Sequence, residues 1–514
     1  MAKSQTKIGK DVIESLTLGM YEDSKFIFRE YIQNSADQID RAVEEGLLDS
    51  LQDGLIDINI NYNQKKITIT DNATGIKSSK VQSTLKDIAK SGKDRTKNKG
   101  FRGIGRLGGL AYCDTLTFET SAEGESTKST LIWDSQKLKA IINNRATKED
   151  AIKVIDDVTE FSTSKEDKSE HYFKVILNGV SNEVLLDKDD IYSYLSMVSP
   201  VPYSKGFIYK SRIYKYAKEN NQQIDEYKIF VNRNQVFKNY STSIYAGESG
   251  NKKKVDEVYD IEFFDVDDEN GDIIAWGWYS ISKFEKVMPS VNTARSIRLR
   301  KGNIQIGLED CLTKLFREPR GTKYFFGEVH AVDAELIPNA RRDYFLDNYT
   351  LKKFEKSLKQ KFDELHKLYY FSSKVRNERK KIDELKKLSK EIKQKSKAGF
   401  TDQHEEKKYQ DKFIKTKEKA EKAANELIKT KEKVKVASKA QQKVFDKIIG
   451  VEEPNVEKIR VPKAAKKTKF ITDDISSLNR KEKKLVSRIL GVIDNVLPKD
   501  LANILKEKIK EELS

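Results

Sequence analysis

Cysteine is scarce in this chain. Two thiols in 514 residues, Cys113 and Cys311, exclude both a disulfide framework and a multi-cysteine zinc site. The four histidines, His171, His330, His366 and His404, have neither metal-ligand spacing nor a nucleophile partner, so each reads as a satisfied or exposed side chain. No apolar run of about 18 residues and no signal-peptide pattern occurs, which argues against a membrane span and points to the cytoplasm. No GxxxxGK[ST] occurs either, so an ordinary P-loop cannot be the source of phosphate binding.

The length exceeds what one hydrophobic core usually organises and predicts three or four domains. A hydrophobic content of 37% against 35% charged residues is too apolar for general disorder, yet charged enough for long exposed helices. The net charge of +16 is unevenly spread. Residues 1–350 hold 51 lysines and arginines against 54 acidic residues, a balance of −3, whereas residues 351–514 hold 46 against 27, a balance of +19. Lysines interspersed with glutamates read as a solvated helical surface or as a surface for an anionic partner.

Residues 24–45 run without Gly or Pro, from the N-cap candidates Asp23 and Ser24 to Gly46, and predict a helix. Ile56, Ile58 and Ile60, then Ile67 and Ile69, alternate with polar residues about a turn and predict a hairpin ending at Asp71. A glycine-rich stretch spans Ser91 to Gly109, and strand-like runs follow at Thr115–Thr120, Thr130–Asp134 and Tyr172–Leu177. Helix first and strands afterwards predicts an α+β sandwich. A second α/β domain is expected from strands at Tyr227–Val231, Glu257–Phe264, Ile273–Ser280 and Asn303–Gly307 and a helix at Leu308–Phe316. From Leu351 glycine and proline nearly vanish. Phe413, Ala420, Leu427 and Val434 recur every seven residues, but Lys417 and Lys431 hold the complementary positions. That pattern fits a helical hairpin or short coiled coil packed on a partner helix. Leu485–Leu513 predicts a small helical module broken at Pro498.

Glu30, Asn34 and Asp37 stand at i, i+4 and i+7, which puts three polar side chains on one helix face. Alone they could be an ordinary exposed face. After them come Asp71-Asn72-Ala73-Thr74-Gly75-Ile76, then Ile88-Ala89-Lys90-Ser91-Gly92, then Gly103-Ile104-Gly105-Arg106-Leu107-Gly108. In this order and spacing the set resembles the GHKL superfamily of ATPases, and within it the ninety-kilodalton heat-shock chaperone branch, over roughly residues 8–190.

The resemblance implies an α+β chain with an N-terminal GHKL (Bergerat) α/β sandwich that binds ATP with Mg²⁺. Glu30 would be the general base toward the attacking water, and Asn34 a Mg²⁺ ligand. Asp37 would support the pocket near the base or its waters, and Asp71 would accept from the adenine amino group. Gly75 and Ile76 would lie against the base. Ser91, Gly103, Ile104, Gly105 and Gly108 would shape a phosphate-holding lid, whose charge Lys93, Lys97, Lys99, Arg102 and Arg106 would add to. Two departures stand out: Ala73 where the family usually has glycine, and no threonine just before the Tyr172–Leu177 strand, only Ser169, Glu170 and His171. Leu336-Ile337-Pro338-Asn339-Ala340-Arg341-Arg342-Asp343 is similar to the chaperones' middle-domain loop, with Arg342 falling on the arginine that reaches the γ-phosphate and Arg341 as the fallback. The bland alternative is an arginine pair bridged to Asp343 or Asp347. Arg295, Arg298, Arg300 and Lys301 form a further basic cluster without an assigned role.

The expected layout is an ATP-binding domain over 1–195, a chaperone-like middle domain over 196–350, a lysine-rich helical or coiled-coil region over 351–450, and a basic linker with a helical module over 451–514. The implied activity is ATP hydrolysis driving a dimeric clamp on protein clients, in the cytoplasm and without membrane contact. The alternative is an ATP-gated nucleic-acid clamp of MutL or MORC type, in DNA maintenance or defence, acting through the basic C-terminal region. A non-hydrolysing ATP sensor is the third reading. A sensor kinase is disfavoured, because its phosphoacceptor helices would precede the ATP domain.

Overall fold

Unbroken helical propensity from Phe26 to Glu44 yields helix α2, preceded by the short α1 (Asp11–Thr17). The N-cap position of α2 is Lys25, not Asp23 or Ser24, because Asp23 turns back to accept from the Lys25 amide at 2.9 Å. Gly46 (φ +76°) reverses the chain after the last turn, as a left-handed position at a helix end requires. Ile27, Phe28, Ile32 and Ile39 of α2 are fully buried, each contributing about 1.5–3 kcal/mol by removal from water.

That helix packs on strands β1 (Leu55–Asn61) and β2 (Lys66–Asp71). The chain then forms α3 (Ser78–Lys86), β3 (Thr115–Ser121), β4 (Thr127–Asp134), α4 (Ser135–Asn143), α5 (Ala151–Asp157), β5 (Thr159–Lys165) and β6 (Tyr172–Asn178). After α6 (Lys188–Val198) and α7 (Lys210–Glu219) come β7 (Lys228–Val231) and β8 (Asn234–Gln235). The resulting sheet has the order β5-β4-β3-β6-β2-β1-β7-β8. β7 pairs in parallel with β1, Ile56 opposite Ile229, so this sheet is completed by residues well beyond the boundary expected at 195.

A hairpin β9 (Ser243–Ala246) and β10 (Lys253–Glu257) precedes a second sheet of β11 (Asp260–Asp267), β12 (Ile273–Ile281), β13 (Ser296–Lys301), β14 (Ile304–Ile306) and β15 (Phe326–Ala331), ordered β11-β12-β15-β13-β14. The helix expected over Leu308–Phe316 is instead irregular chain with one short 3-10 turn, Thr313–Leu315. The unassigned basic cluster is internal. Arg300 and Lys238 flank the fully buried Glu328 at 2.5 and 3.1 Å, and Glu328 also takes the Tyr203 and Tyr240 hydroxyls and His330 Nε2. Arg295 pairs with Glu309 at 2.5 Å, Arg298 donates to Gln305 Oε1 at 2.8 Å, and Lys301 donates to the Asp333 carbonyl at 2.5 Å.

The molecule is a computed structural model that describes residues 8–17, 23–88, 99, 103–144, 149–248, 250–400, 403–450, 456, 470–475 and 477–514. It divides into two units, Met1–His366 and Lys367–Ser514, so residues 1–350 fall in one unit. Helix α8 (Tyr349–Ala398) begins in the first unit and ends in the second. Within the second unit α8 and α9 (Gln403–Val434) run antiparallel: Lys395 meets Glu405, Glu391 accepts from the Tyr409 hydroxyl, and Lys374 lies near Glu426. Phe413, Ala420, Leu427 and Val434 are all buried against Val375, Ile382, Leu385 and Ile392. The seven-residue spacing therefore serves an intramolecular hairpin. α10 (Lys439–Ile449), α11 (Arg480–Val496) and α12 (Lys499–Leu513) follow, with Pro498 between the last two. Among the described residues no helix is long and apolar enough to cross a membrane.

Candidate active site

A cavity of about 630 Å³ opens between α2, the end of β2, α3 and the 3-10 turn Gly105–Ala111, a size in the range of small-molecule sites. Glu30, Asn34, Asp71, Gly75, Ile76, Gly103, Ile104, Gly105 and Arg342 all line it. Residues spread over more than 300 positions thus share one wall system.

At one end stands Glu30, buried on α2. Its Oε1 lies 3.2 Å from Arg342 Nε and 3.9 Å from Arg29 Nη2, and accepts no hydrogen bond of good geometry. A buried carboxylate oxygen with an unfilled lone pair beside two guanidinium groups is suited to take a proton from, or orient, a bound water. Gly105 is needed here because a Cβ at that position would lie 2.3 Å from Glu30 Oε2. Arg342 has a left-handed backbone (φ +56°) and directs its side chain away from Asp343 toward α2. Asp343 accepts from Asn339, and Asp347 lies 3.9 Å from Lys352. The Arg341 carbonyl accepts from Arg29 Nη2 at 3.2 Å.

At the other end Asp71 closes β2, registered between Ile56 and Phe173. Ser35 donates to Asp71 Oδ2 at 2.6 Å and the Ala73 amide donates to Oδ1 at 3.2 Å. Burial nevertheless pushes the carboxyl from its ordinary 3.8 up to about 6, against the lowering effect of those hydrogen bonds. Gly75 (φ +61°) passes so close to β3 that a Cβ would sit 1.8 Å from the Ser121 carbonyl oxygen. The turn after Asp71 accommodates Ala73 with its methyl fully buried, and His171 Nδ1 lies 2.8 Å from the Ala73 carbonyl oxygen.

Three expected contributors stand elsewhere. Asp37 is buried and absent from the cavity lining: its Oδ1 accepts the Lys99 amide at 2.7 Å. Gly108 is buried within the 3-10 turn that starts at Gly105, away from the lining. Lys99 forms ion pairs with Asp40 and Asp225 at 2.6 and 3.1 Å. Ser91, Lys93, Lys97 and Arg102 lie outside the described residues.

Sequence reading also missed contributors. Ser35 follows Asn34 directly, so its hydroxyl was legible as a neighbour of the polar face. Phe173 lines the cavity, in register with Asp71 on the neighbouring strand. Thr120 Oγ1 accepts from the Ile76 amide at 2.9 Å and donates to the Tyr172 carbonyl at 2.8 Å, tying the Asp71 end of the cavity together behind the lining.

Residues 22–164 match the family model of histidine kinase-, DNA gyrase B- and HSP90-like ATPases. Among curated proteins, the chaperone protein HtpG of Shewanella pealeana is 29% identical over 148 residues, 26% of this chain and 23% of the relative. HtpG of Fusobacterium nucleatum is 28% identical over 130 residues, 22% and 21% of the two chains. HtpG of Shewanella frigidimarina is 25% identical over 180 residues, 31% and 28%. The match thus spans about a quarter of these relatives' length.

Proposed function

We propose that this chain, which carries an HSP90-like ATPase domain of the GHKL superfamily in its N-terminal region, binds ATP with Mg²⁺ and hydrolyses it to ADP and phosphate. The observation that carries the reading is the meeting of Glu30 and Arg342, 312 positions apart in sequence, over one glycine-lined cavity. The residues fit the nucleotide by their chemistry. Asp71 offers a buried acceptor to an adenine amino group, Gly75 lets the base approach the backbone, and Gly103 and Gly105 bring main chain to the phosphate end. Asn34 supplies an oxygen of the kind a hard divalent cation takes, and that ion would neutralise charge on the phosphates.

In this reading Glu30 orients and deprotonates the attacking water, and Arg342 stabilises charge that develops on the γ-phosphoryl oxygens. Because Arg342 comes from the segment after the second sheet, its engagement couples hydrolysis to the placement of that sheet. A dimeric clamp acting on protein partners in the cytoplasm extends the proposal by analogy with the chaperones. The second reading, a nucleic-acid clamp, rests on the +19 balance of residues 351–514 alone.

Phosphate release by the full chain tests the proposal. Glu30→Ala is expected to lower turnover by about 10²–10⁴-fold while leaving binding of a fluorescent ATP analogue within a few-fold of wild type. Unchanged turnover in that variant removes Glu30 from its assigned role, and binding without any phosphate release in the wild type leaves a nucleotide sensor.

A further inference from the structure

Between Glu30 and the second sheet lies a side chain that neither the cavity nor the family match accounts for. Lys99 is gripped on every polar atom. Its amide donates to Asp37 Oδ1 at 2.7 Å, and its carbonyl accepts from both Gln33 Nε2 and Arg342 Nη2 at 2.5 Å. Its ammonium lies 2.6 Å from Asp40 Oδ2 and 3.1 Å from Asp225 Oδ2, with the side chain only 11% exposed. Burial acts to lower its pKa, but the two carboxylates outweigh that and hold it above the ordinary value, so the lysine is charged at neutral pH. The stem passes over Gly302 (φ +55°), where a Cβ would come within 3.3 Å of Lys99 Cγ and Cε, and the Tyr227 hydroxyl donates to Asp40 beside it.

We propose that Lys99 is a positioning residue for phosphoryl transfer: its anchored main chain holds Arg342 against Glu30, and its ammonium fastens that pair to Asp225 ahead of β7, which Asn303, between β13 and β14 of the second sheet, holds in turn. The inference rests on the reading of the cavity as an ATP site. An arginine side chain has many rotamers, and a fixed carbonyl on Nη2 restricts the guanidinium so that Nε faces Glu30 Oε1. The carbonyl has a fixed place because the rest of Lys99 is tied to α2 through Asp37 and Asp40. The second tie runs outward. Asp225 precedes β7, its own carbonyl accepts from Asn303 Nδ2 at 2.6 Å, and Asn303 Oδ1 accepts from Lys238 Nζ of the buried Glu328 cluster. A shift of the second sheet is thereby transmitted to the arginine through Lys99 as well as along the chain.

Lys99→Met keeps the stem and removes the ammonium, leaving Asp40 and Asp225 unneutralised beside each other. In the full-length chain this variant is expected to lose about 10-fold or more in kcat for phosphate release, since a misplacement near 1 Å is that costly. The Kd of a fluorescent ATP analogue should stay within about threefold, and Lys99→Arg should restore most of the rate. Because Lys99 acts through Arg342, Lys99→Met should add no further loss in an Arg342→Ala background, a non-additivity that a merely structural ion pair would not produce. Retention of kcat within about twofold in Lys99→Met, or losses that multiply in the double variant, overturns the inference while the ATPase reading stands. Absence of ATP binding and turnover in the wild type overturns that reading first and this one with it. If Lys99→Met does not fold by thermal melting, Asp225→Asn removes one of the two ties; a loss of about threefold or more that vanishes in the Arg342→Ala background supports the role, and no loss overturns it.

Discussion

Single side chains in this molecule change character with depth. Asp71 sits at the end of a strand in sequence and reads as an ordinary acceptor, but burial lifts its carboxyl to about 6. Its folded pKa lies above the unfolded 3.8, so the folded state holds this proton more tightly. The corresponding stability is fully present below about 3.8 and is lost as pH rises to about 6. Asp71→Asn should therefore melt at a higher temperature than wild type at pH 7.5, with the gain shrinking as the pH is lowered from 6 to 4. On the proposed reading of Asp71 as the acceptor for adenine, ATP affinity should move the other way, because the ionised carboxylate is the better acceptor. Wild-type affinity, followed with a fluorescent analogue, should weaken as pH falls through about 6, and Asp71→Asn should bind weakly and without that dependence. The residues of the cavity were legible because Glu30, Asn34, Asp71, Gly75 and Gly103–Gly105 keep a recognisable order. Asp37 was misplaced by the same logic: sharing a helix face says nothing about which neighbour takes the carboxylate, and the Lys99 amide lies 62 positions away.

At the scale of elements, close approach decides what sequence composition cannot. The 3-10 turn beginning at Gly105 presses on Glu30, and a methyl there would displace a flexible carboxylate rather than main chain. Gly105→Ala is accordingly expected to leave the melting temperature near that of wild type while lowering kcat by at least about 10-fold, measured by phosphate release. In the second sheet the determining fact is a single buried anion. Glu328 is held well below the usual carboxylate range by Arg300 and Lys238 despite its burial. Glu328→Gln would remove the carboxylate that Arg300 and Lys238 share, and chemical denaturation should show a loss of about 3–5 kcal/mol. Alternating burial made β1 and β2 legible, whereas β13 and β15 bury consecutive residues and carry no period-two pattern to read. The helix expected at Leu308–Phe316 failed because that apolar stretch covers the ends of β13 and β14 as irregular chain, a tertiary use that periodicity does not encode.

For the whole molecule, charge is the most uneven property. The first 350 residues are nearly neutral and residues 351–514 carry +19, with α8 and α9 burying their apolar stripe against each other and leaving lysines on the outside. If the tail engages nucleic acid, binding of the full chain to duplex DNA should fall by about 10³–10⁵ between 50 and 200 mM salt. Fluorescence anisotropy that shows no binding at low salt returns the tail to a solvated helical surface. The change of composition at Leu351 marks the start of the long helix α8 at Tyr349, because glycine and proline are kept out of helix interiors.

The parallel pairing of β7 with β1 has a practical corollary for dissecting the chain. Ending a fragment at residue 195, where the sequence suggests a boundary, would strip Leu55–Ile58 of its hydrogen-bonded neighbour and uncover a row of main-chain donors and acceptors next to the fully buried Ile56 and Ile58. Such an uncapped strand templates intermolecular pairing. A fragment that keeps the first sheet whole must run to at least Gln235, and it would still lack the arginine that reaches Glu30.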